Sequence, residues 1–118
     1  MQLSTECLES ITVAFLNSHN LYRAMHGTPY LIQNSTIDAM AQDYANYLAI
    51  NGLFKHSGVR GYGENLAYQY SVGKVPNIDL AYNCGKYAST FVRLWYDEMN
   101  WYNFNSPGFT RGFKLFQL

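Results

Sequence analysis

Apolar residues recur at helical spacing near the start of the chain. They stand three, four or seven positions apart at Leu8, Ile11, Phe15, Tyr22 and Met25. This spacing places them on one face of an amphipathic helix that runs from about Thr5 to Met25. Thr5 is expected to cap the helix at its start. The stretch His26-Gly27-Thr28-Pro29 is expected to end it, because a glycine followed by a proline is typical of a helix C-terminus.

The same periodicity predicts two further helices. The second begins at Ser35-Thr36-Ile37-Asp38, a variant of the capping box, and ends at Asn51-Gly52. The third runs from about residue 80 to near residue 100 and carries Trp95 and Glu98 on neighbouring parts of one face. We therefore expect three helices as the main regular elements.

The stretches between and after these helices are of a different kind. Leu66, Tyr68 and Tyr70 alternate with other residues, which predicts a short strand over residues 64–70. Residues 71–79 and 101–109 contain proline and glycine and are expected to be irregular, although the second stretch is rich in aromatic side chains.

The composition is that of one compact domain. The chain has 118 residues, of which 48% are hydrophobic and 17% aromatic, so it can bury a core and does not resemble a disordered chain. Eight basic and eight acidic residues cancel, so no net charge favours nucleic acid, and no nucleic-acid partner is expected. The N-terminal stretch matches neither a signal peptide nor a membrane span, so classical secretion is not expected.

Neither the cysteines nor the first two histidines form a recognisable metal motif. Cys7 and Cys84 lie far apart and match no zinc-binding spacing, so two free thiols are the expected state and one disulfide is the alternative. His19 and His26 stand seven positions apart on the first helix. Packing and end-capping explain them better than metal binding, because ligand pairs on one helix usually stand four apart.

A glycine-rich loop carries the strongest candidate chemistry. The stretch that begins at His56 has the sequence HSGVRGYGENL, in which three glycines separate His56 from Glu64. Glycine tolerates a positive φ, so the backbone can bend back and bring the imidazole and the carboxylate into one cleft. An ordinary surface loop is the alternative. Ser57 is not expected to act as a nucleophile with His56, because neighbours in the sequence seldom face each other.

Three ordered groups of residues carry a family resemblance. The first contains His19-Asn20, Tyr22-Arg23 and His26-Gly27-Thr28-Pro29, the second His56-Ser57 and Gly63-Glu64-Asn65-Leu66-Ala67, and the third Trp95-Tyr96-Asp97-Glu98, Tyr102-Asn103-Phe104 and Pro107-Gly108-Phe109. Over about residues 8–112 the chain thereby resembles the CAP superfamily, which comprises cysteine-rich secretory proteins, antigen 5 and pathogenesis-related 1 proteins. Without a signal peptide or paired cysteines, it looks most similar to the Golgi-associated pathogenesis-related branch.

The resemblance implies a fold with both helices and a sheet. The expected class is α+β, with an α/β/α sandwich of the CAP type as a single domain over residues 1–118. The family domain continues with further strands of its sheet. The resemblance therefore implies a C-terminally truncated domain with an incomplete sheet, a divergent tail over residues 113–118, and exposed apolar faces and strand edges. A shortened isoform or a truncated gene product is expected.

The resemblance also implies a cleft with two histidines and two glutamates, which in several family members bind a divalent cation such as zinc. The matching positions in this chain are His56, Glu64 and Glu98. The second histidine has no counterpart, because residues 113–118 replace the segment that carries it. Three ligands hold zinc only with water or another group in the fourth place, so a weak, incomplete metal site is expected, and no other cofactor.

The expected function is that of a non-enzymatic binding module. The resemblance implies binding of a lipid or sterol, of a membrane surface or of protein partners, and the many aromatic residues suit an apolar ligand. A homodimer is a further option. The alternatives are a metal-assisted hydrolase that uses the His/Glu cleft, and a truncated product without independent activity. The expected location is the cytoplasm or the periphery of Golgi and other endomembranes, with an extracellular location as the alternative.

Overall fold

The computed structural model of the protein describes residues 4–68 and 81–106. Three α-helices follow one another along the chain: α1 (Thr5–Met25), α2 (Ser35–Asn51) and α3 (Ala81–Asp97), and α3 continues into a short 3-10 helix, Glu98–Trp101. The predictions of all three helices are confirmed; the bounds of α1 and α2 agree with the predicted ones, whereas α3 ends at Asp97, before the predicted end near residue 100. Among the described residues, no helix combines the length and the apolar character that crossing a membrane requires.

The cap of α1 lies one position before the predicted one. The hydroxyl of Ser4, not that of Thr5, accepts a hydrogen bond from the backbone N–H of Cys7 at 3.1 Å. Glu6 in the first turn suits the positive end of the helix dipole. At the other end, the backbone N–H of His26 donates to the carbonyl of Arg23 at 3.1 Å. The helix thus ends at the predicted histidine.

The cap of α2 is also shifted by one residue. The side-chain oxygen of Asn34 accepts from the backbone N–H groups of Thr36 and Ile37 at 3.0 and 3.2 Å. The predicted capping box that starts at Ser35 is therefore wrong, because asparagine just outside the helix already satisfies these amides. Asp38 instead accepts a bond from Gln33 at 2.8 Å. Gly52 ends the helix in the left-handed conformation, with φ 61° and ψ 38°.

Helices α1 and α3 pack directly on each other through aromatic rings. Trp95 stacks on Phe15 with ring centroids 5.9 Å apart, and it also contacts Phe91. About two turns towards the C-terminal end of α1, the rings of Tyr22 and Tyr96 stack with centroids 4.0 Å apart. Such pairs contribute on the order of 1 kcal/mol each beyond the apolar area that they bury. The aromatic residues of the family motifs thus hold the two helices together.

A disulfide joins the same two helices. Cys7 of α1 is bonded to Cys84 of α3, and their Cα atoms lie 5.5 Å apart. The prediction of two free thiols is therefore wrong. The two cysteines are 77 residues apart, and spacing along the chain does not show that their helices lie side by side. Together with Ala88 and Val92, which are at most 3% exposed, they form the buried core of this pair.

Helix α2 stands apart from this pair. Within the described residues, its backbone contacts neither α1 nor α3. Its one buried residue is Leu48, whose carbonyl accepts from the N–H of Leu53 at 3.0 Å. The hydroxyl of Tyr44 donates to the carbonyl of Lys55 at 2.5 Å. The loop that follows α2 therefore holds the helix in place, and an open groove separates it from α1.

The sheet of the expected α/β/α sandwich is not seen in the part of the chain that the structure describes. Residues 4–68 and 81–106 contain no β-strand. The strand predicted over residues 64–70 is absent from residues 64–68, and its last two residues lie outside the described residues. The indole N–H of Trp95 instead donates to the carbonyl of Leu66 at 3.1 Å, which ties this segment to α3.

Three predicted segments lie outside the described residues. The connection over residues 71–79, the motif over residues 107–109 and the tail over residues 113–118 lie outside them. Residues 102–106 follow the 3-10 helix without further helix or strand, as predicted for this aromatic stretch. The rings of Tyr102 and Phe104 meet edge to face with centroids 4.8 Å apart.

Candidate functional site

The glycine loop returns on itself as predicted. Gly58 and Gly61 have φ of 78° and 89°, in the left-handed region that other residues rarely adopt. These two turns bring the imidazole of His56 back to the carboxylate of Glu64, with 2.6 Å between Nδ1 and Oε1. The prediction that the loop joins a histidine and a glutamate across eight positions is confirmed.

The carboxylate of Glu64 accepts hydrogen bonds from both His56 and Ser57 in the described part of the chain. Oε1 accepts from Nδ1 of His56 and from the backbone N–H of Ser57, the latter at 2.9 Å. Oε2 accepts from the hydroxyl of Ser57 at 2.6 Å. The same hydroxyl accepts from the N–H of Val59 at 3.1 Å. Because both carboxylate oxygens are engaged, Glu64 has a fixed orientation.

This arrangement decides which nitrogen of His56 is free. An ionised carboxylate only accepts hydrogen bonds, so Nδ1 must carry a hydrogen, and Nε2 keeps its lone pair when the ring is neutral. The side chain of His56 is 44% exposed. The ring can therefore meet a ligand, a proton donor or a cation from solvent through Nε2. Glu64 acts as the residue that orients it.

The electrostatics of Glu64 agree with its partners. Burial alone would raise the pKa of this carboxyl group, but the hydrogen bonds from Ser57 and His56 outweigh burial, so its pKa lies below the ordinary value. Glu64 is therefore ionised at neutral pH. Since an ionised Glu64 only accepts hydrogen bonds, Nδ1 of His56 carries the hydrogen of their contact.

Ser57 does not form a nucleophile and base pair with His56. Its hydroxyl donates to Glu64, and the imidazole bonds to the same carboxylate instead of to the hydroxyl. A serine whose proton is directed at a carboxylate that also holds the histidine is a positioning group rather than a nucleophile. The structure thus gives Ser57 a part in the site that the sequence did not suggest.

Tyr44 of α2 borders the same site. Burial, together with the nearby negative charge of Glu64, raises the pKa of its hydroxyl. Its hydroxyl donates to the carbonyl of Lys55, which immediately precedes His56. Tyr44 thereby joins α2 to the loop that carries the candidate site.

Glu98, the third predicted site residue, begins the 3-10 helix after α3. Its Oε2 is buried and has no hydrogen-bond partner among the described residues, and the same is true of Oδ1 of Asn65. Burial raises the pKa of Glu98, which favours the protonated carboxyl group. Leu66, which directly follows Asn65, accepts a hydrogen bond from Trp95, three positions before Glu98. The pKa values of Glu98 and Glu64 are thus shifted in opposite directions, although both residues are candidate site carboxylates.

The described residues do not by themselves meet the needs of a structural zinc site. Zinc takes at least three protein donors, and no group of three or more His, Cys, Asp or Glu side chains that could hold a metal ion occurs in residues 4–68 and 81–106. The structure brings His56 and Glu64 together but does not bring Glu98 into such a group. In the described part of the chain, Nε2 of His56 is the ring nitrogen that is available to coordinate a metal ion. The weak, incomplete metal site stays a prediction.

The first two histidines have the structural roles predicted for them. Nδ1 of His19 donates to the carbonyl of Phe15 at 2.7 Å, and its ring lies 6.2 Å from that of Trp95. Nε2 of His26 lies 2.7 Å from the hydroxyl of Tyr96. His19 therefore packs within the α1–α3 pair, and His26 closes the end of α1 against α3.

A second concave surface lies between α1 and α2. We call it the α1–α2 groove; it has a volume of about 430 Å³. Apolar side chains from both helices and from the segment between them line it, among them Ile11, Phe15, Leu16, Leu31, Ile37 and Ala41. Asn34, Asp38 and Gln42 add polar groups. The sequence pattern placed Ile11 and Phe15 on the apolar face of the first helix, but it did not show that this face borders an open groove.

The family of the chain is shown by comparison with known proteins. Residues 16–114 match the model of the Cysteine-rich secretory protein family, which is the CAP domain. Because the match covers most of the chain, the protein belongs to this family. No solved structure matches the chain.

Three curated relatives agree with this assignment. The chain is similar to "Golgi-associated plant pathogenesis-related protein 1" of Homo sapiens, with 38% identity over 82% of this chain and 56% of the relative. It is 38% identical to "Repressed by EFG1 protein 1" of Candida albicans over 80% of this chain and 30% of the relative. It is 43% identical to "Secreted protein RBT4" of the same organism over 49% of this chain and 16% of the relative. The chain thus spans about half or less of the length of these relatives.

Proposed function

We propose that this chain is a non-enzymatic binding module that holds a lipid or sterol in the α1–α2 groove. The observation that carries the proposal is the groove itself, with about 430 Å³ of volume and a mainly apolar lining. Ligand sites usually have about 300–1,000 Å³ and a few polar groups that fix orientation. Asn34 and Gln42 are such groups here.

The physical gain for an apolar ligand comes from the exposed lining. Ile37 of α2 and Leu31 of the segment between the helices are each 42% exposed, so a ligand in the groove would remove apolar area from water. Each Å² of apolar area removed from water contributes about 25 cal/mol. The chain has no net charge, so neither a cationic nor an anionic head group is selected by long-range attraction. A neutral ligand with one hydroxyl fits these conditions best.

The test fills the groove with a large side chain. Ala41 lines the groove, whereas Ala39 on the same helix is exposed and does not line it. We expect Ala41→Trp to weaken the binding of cholesterol and of a fluorescent fatty acid by at least about tenfold. The matched control Ala39→Trp should bind both probes like the original chain.

The outcomes separate the binding classes. Equal binding by Ala41→Trp and the original chain would place the ligand outside the groove and overturn the proposal. Binding to lipid vesicles that ignores both substitutions would favour a membrane surface instead. If neither probe binds the original chain, a protein partner remains as the better explanation of the exposed apolar side chains.

The contact between His56 and Glu64 favours one second candidate, a hydrolase. An imidazole that is oriented through Nδ1 can accept a proton from water at Nε2, and a bound divalent cation would supply a Lewis acid. The test is peptidase and esterase turnover, measured in the original chain and in Glu64→Gln and Glu98→Gln. Turnover that both substitutions abolish would replace the binding module by an enzyme. No turnover in the original chain would leave the carboxylates a structural role.

We also propose that the protein works in an oxidising compartment. The disulfide between Cys7 and Cys84 supports this, because disulfides are rare in the reducing cytosol. It favours the extracellular or lumenal alternative over the cytoplasm. The relative named as a secreted protein points the same way. Thiol labelling of the protein in cell fractions tests this, and free thiols on the mature protein would contradict it.

A further inference from the structure

The segment between α1 and α2 lies along α1 in the manner of a strand. The carbonyl of Pro29 accepts from Nε of Arg23 at 2.6 Å. Both backbone groups of Leu31 are bonded to the side chain of Asn20: its N–H donates to Oδ1 at 2.7 Å, and its carbonyl accepts from Nδ2 at 3.1 Å. The backbone groups that face α1 thus belong to Pro29 and Leu31, which are two positions apart. This is the period of an extended chain.

The opposite edge of this segment has no partner. Within the described residues, no hydrogen bond involves the backbone N–H or carbonyl groups of Tyr30 and Ile32. Their side chains are 69% and 91% exposed. In an extended chain, these groups point away from α1, since those of Pro29 and Leu31 point towards it. We call this edge, residues 30–32, the open edge.

The open edge lacks the features that keep strands from pairing with other chains. Natural edge strands carry charged side chains, bulges or a covering element. Residues 28–34 contain no charged side chain, and Pro29 stands before the open edge rather than within it. Tyrosine and isoleucine favour strands. The edge is therefore a template for one more strand.

We propose that the open edge pairs with the same edge of a second copy of this chain. The two segments run antiparallel about a two-fold axis next to Leu31. Tyr30 of each copy then stands opposite Ile32 of the other. Each of the two pairs exchanges two backbone hydrogen bonds, which gives about four across the interface. The side-chain pairs are aromatic with β-branched, a favourable combination across strands.

A second copy of this chain is the partner that the open edge fits best. A two-fold contact requires a self-complementary patch, and an uncharged patch meets its own copy without repulsion between like charges. The antiparallel arrangement also satisfies every backbone group that the open edge leaves without a partner. Leu31 and Ile32 continue into the lining of the α1–α2 groove, so pairing also covers apolar area next to the edge.

The test compares two lysine substitutions of exposed isoleucines by analytical ultracentrifugation over a series of concentrations. Ile32 is 91% exposed on the open edge, and Ile50 is 83% exposed on α2. The original chain and Ile50→Lys should reach twice the mass of 13.5 kDa as concentration rises. Ile32→Lys should stay at 13.5 kDa, because each lysine would replace the isoleucine opposite Tyr30 and the two like charges would lie diagonally across the same face of the pair.

Hydrogen exchange provides an independent measurement on the original chain. The amides of Tyr30 and Ile32 should become protected as concentration rises, whereas the amide of Leu31, already bonded to Asn20, should change little. A chain that stays monomeric at all concentrations would overturn the proposal. So would a dimer that persists in Ile32→Lys, or one that Ile50→Lys dissociates equally, since association would then use another surface. Helix content by circular dichroism confirms that each variant is folded.

Discussion

The α1–α3 pair and helix α2 are held in the structure by different kinds of interaction. The pair has a disulfide, stacked aromatic rings and a small buried core, all of them contacts between residues far apart in sequence. Helix α2 has one buried residue, Leu48, and backbone contact with neither of the other helices in the described part of the chain. Local interactions form it: a cap at Asn34, a left-handed Gly52, and the bond from Tyr44 to the following loop.

This difference predicts which part of the molecule unfolds first. A helix of 17 residues is only marginally stable on its own, so α2 depends on the few contacts that its neighbours supply. Local opening follows low contact density. We therefore expect α2, the groove and the His56–Glu64 loop to exchange with solvent before α1 and α3 separate.

Removal of the disulfide should have the largest effect. The double substitution Cys7→Ser with Cys84→Ser opens a covalent loop of 77 residues. Loops of this length contribute about 4 kcal/mol to the free energy of unfolding in the chain-entropy model. Urea unfolding followed by circular dichroism measures the loss, and the original chain under reducing conditions is the control. An unchanged midpoint would show that the aromatic contacts alone hold the pair.

Trp95→Ala should have the next largest effect, because Trp95 contacts Phe15 and Phe91 and donates to the carbonyl of Leu66. Truncation of a packed tryptophan typically costs about 3 kcal/mol. Trp95→Phe keeps a ring for stacking and removes the hydrogen bond, so it should cost about 1 kcal/mol. The free energy of unfolding from urea titrations tests both values. A loss of similar size in the two variants would assign the effect to the hydrogen bond instead of to the rings.

Two glycine substitutions should change stability in opposite directions. Gly85 lies in α3, and an added Cβ would meet Ala14 at 3.7 Å, an ordinary van der Waals distance. Gly85→Ala should therefore stabilise α3 by about 0.5–1 kcal/mol. At Gly52 there is space for a Cβ, but its φ of 61° is unfavourable for alanine, so Gly52→Ala should cost about 1 kcal/mol. Thermal melting of both variants measures this. Equal signs would show that backbone conformation does not limit the end of α2.

The smallest expected effect is a pair of opposite pH dependences at Glu64 and Glu98. The pKa of Glu64 is lowered in the folded protein, so its charged form stabilises the fold above its ordinary pKa of 4.5. That contribution is lost as pH falls through the lowered pKa. The pKa of Glu98 is raised by burial, so its contribution is present below 4.5 and is lost as pH rises through the raised pKa.

Urea midpoints between about pH 3 and pH 7 test these signs. Glu64→Gln should be less stable than the original chain at neutral pH, and the difference should shrink in acid. Glu98→Gln should be more stable than the original chain at neutral pH, and this difference should also shrink in acid. Parallel pH curves for all three proteins would mean that neither carboxyl group has a shifted pKa.

The sequence predicted the elements that local patterns determine. Apolar periodicity located α1, α2 and α3, and the glycines of the loop predicted the contact between His56 and Glu64. The caps at Ser4 and Asn34 were missed by one residue, because several neighbouring polar residues can each serve as a cap. These errors are small since the competing residues are adjacent.

Features that depend on the arrangement of the helices were not predicted. The pairing of Cys7 with Cys84 requires that α1 and α3 lie side by side, which their sequence patterns do not specify. The α1–α2 groove requires knowledge of which helix faces remain uncovered. The two hydrogen bonds between the side chain of Asn20 and the backbone of Leu31 were not predicted either, although Asn20 belongs to a recognised family motif. Such contacts are decided by tertiary packing, which overrides local preference.

The disulfide also determines what a protease can release from the molecule. Residues 7 to 84 form one covalent ring that contains α2, the groove and the glycine loop. Arg60 is exposed on that loop, where a trypsin-like enzyme can reach it. A cut after Arg60 opens the backbone but leaves both pieces joined through Cys7 and Cys84. The nicked protein would therefore run as one band on a gel without reductant and as two bands after reduction. The disulfide thus keeps both fragments in one molecule after the loop has been cleaved.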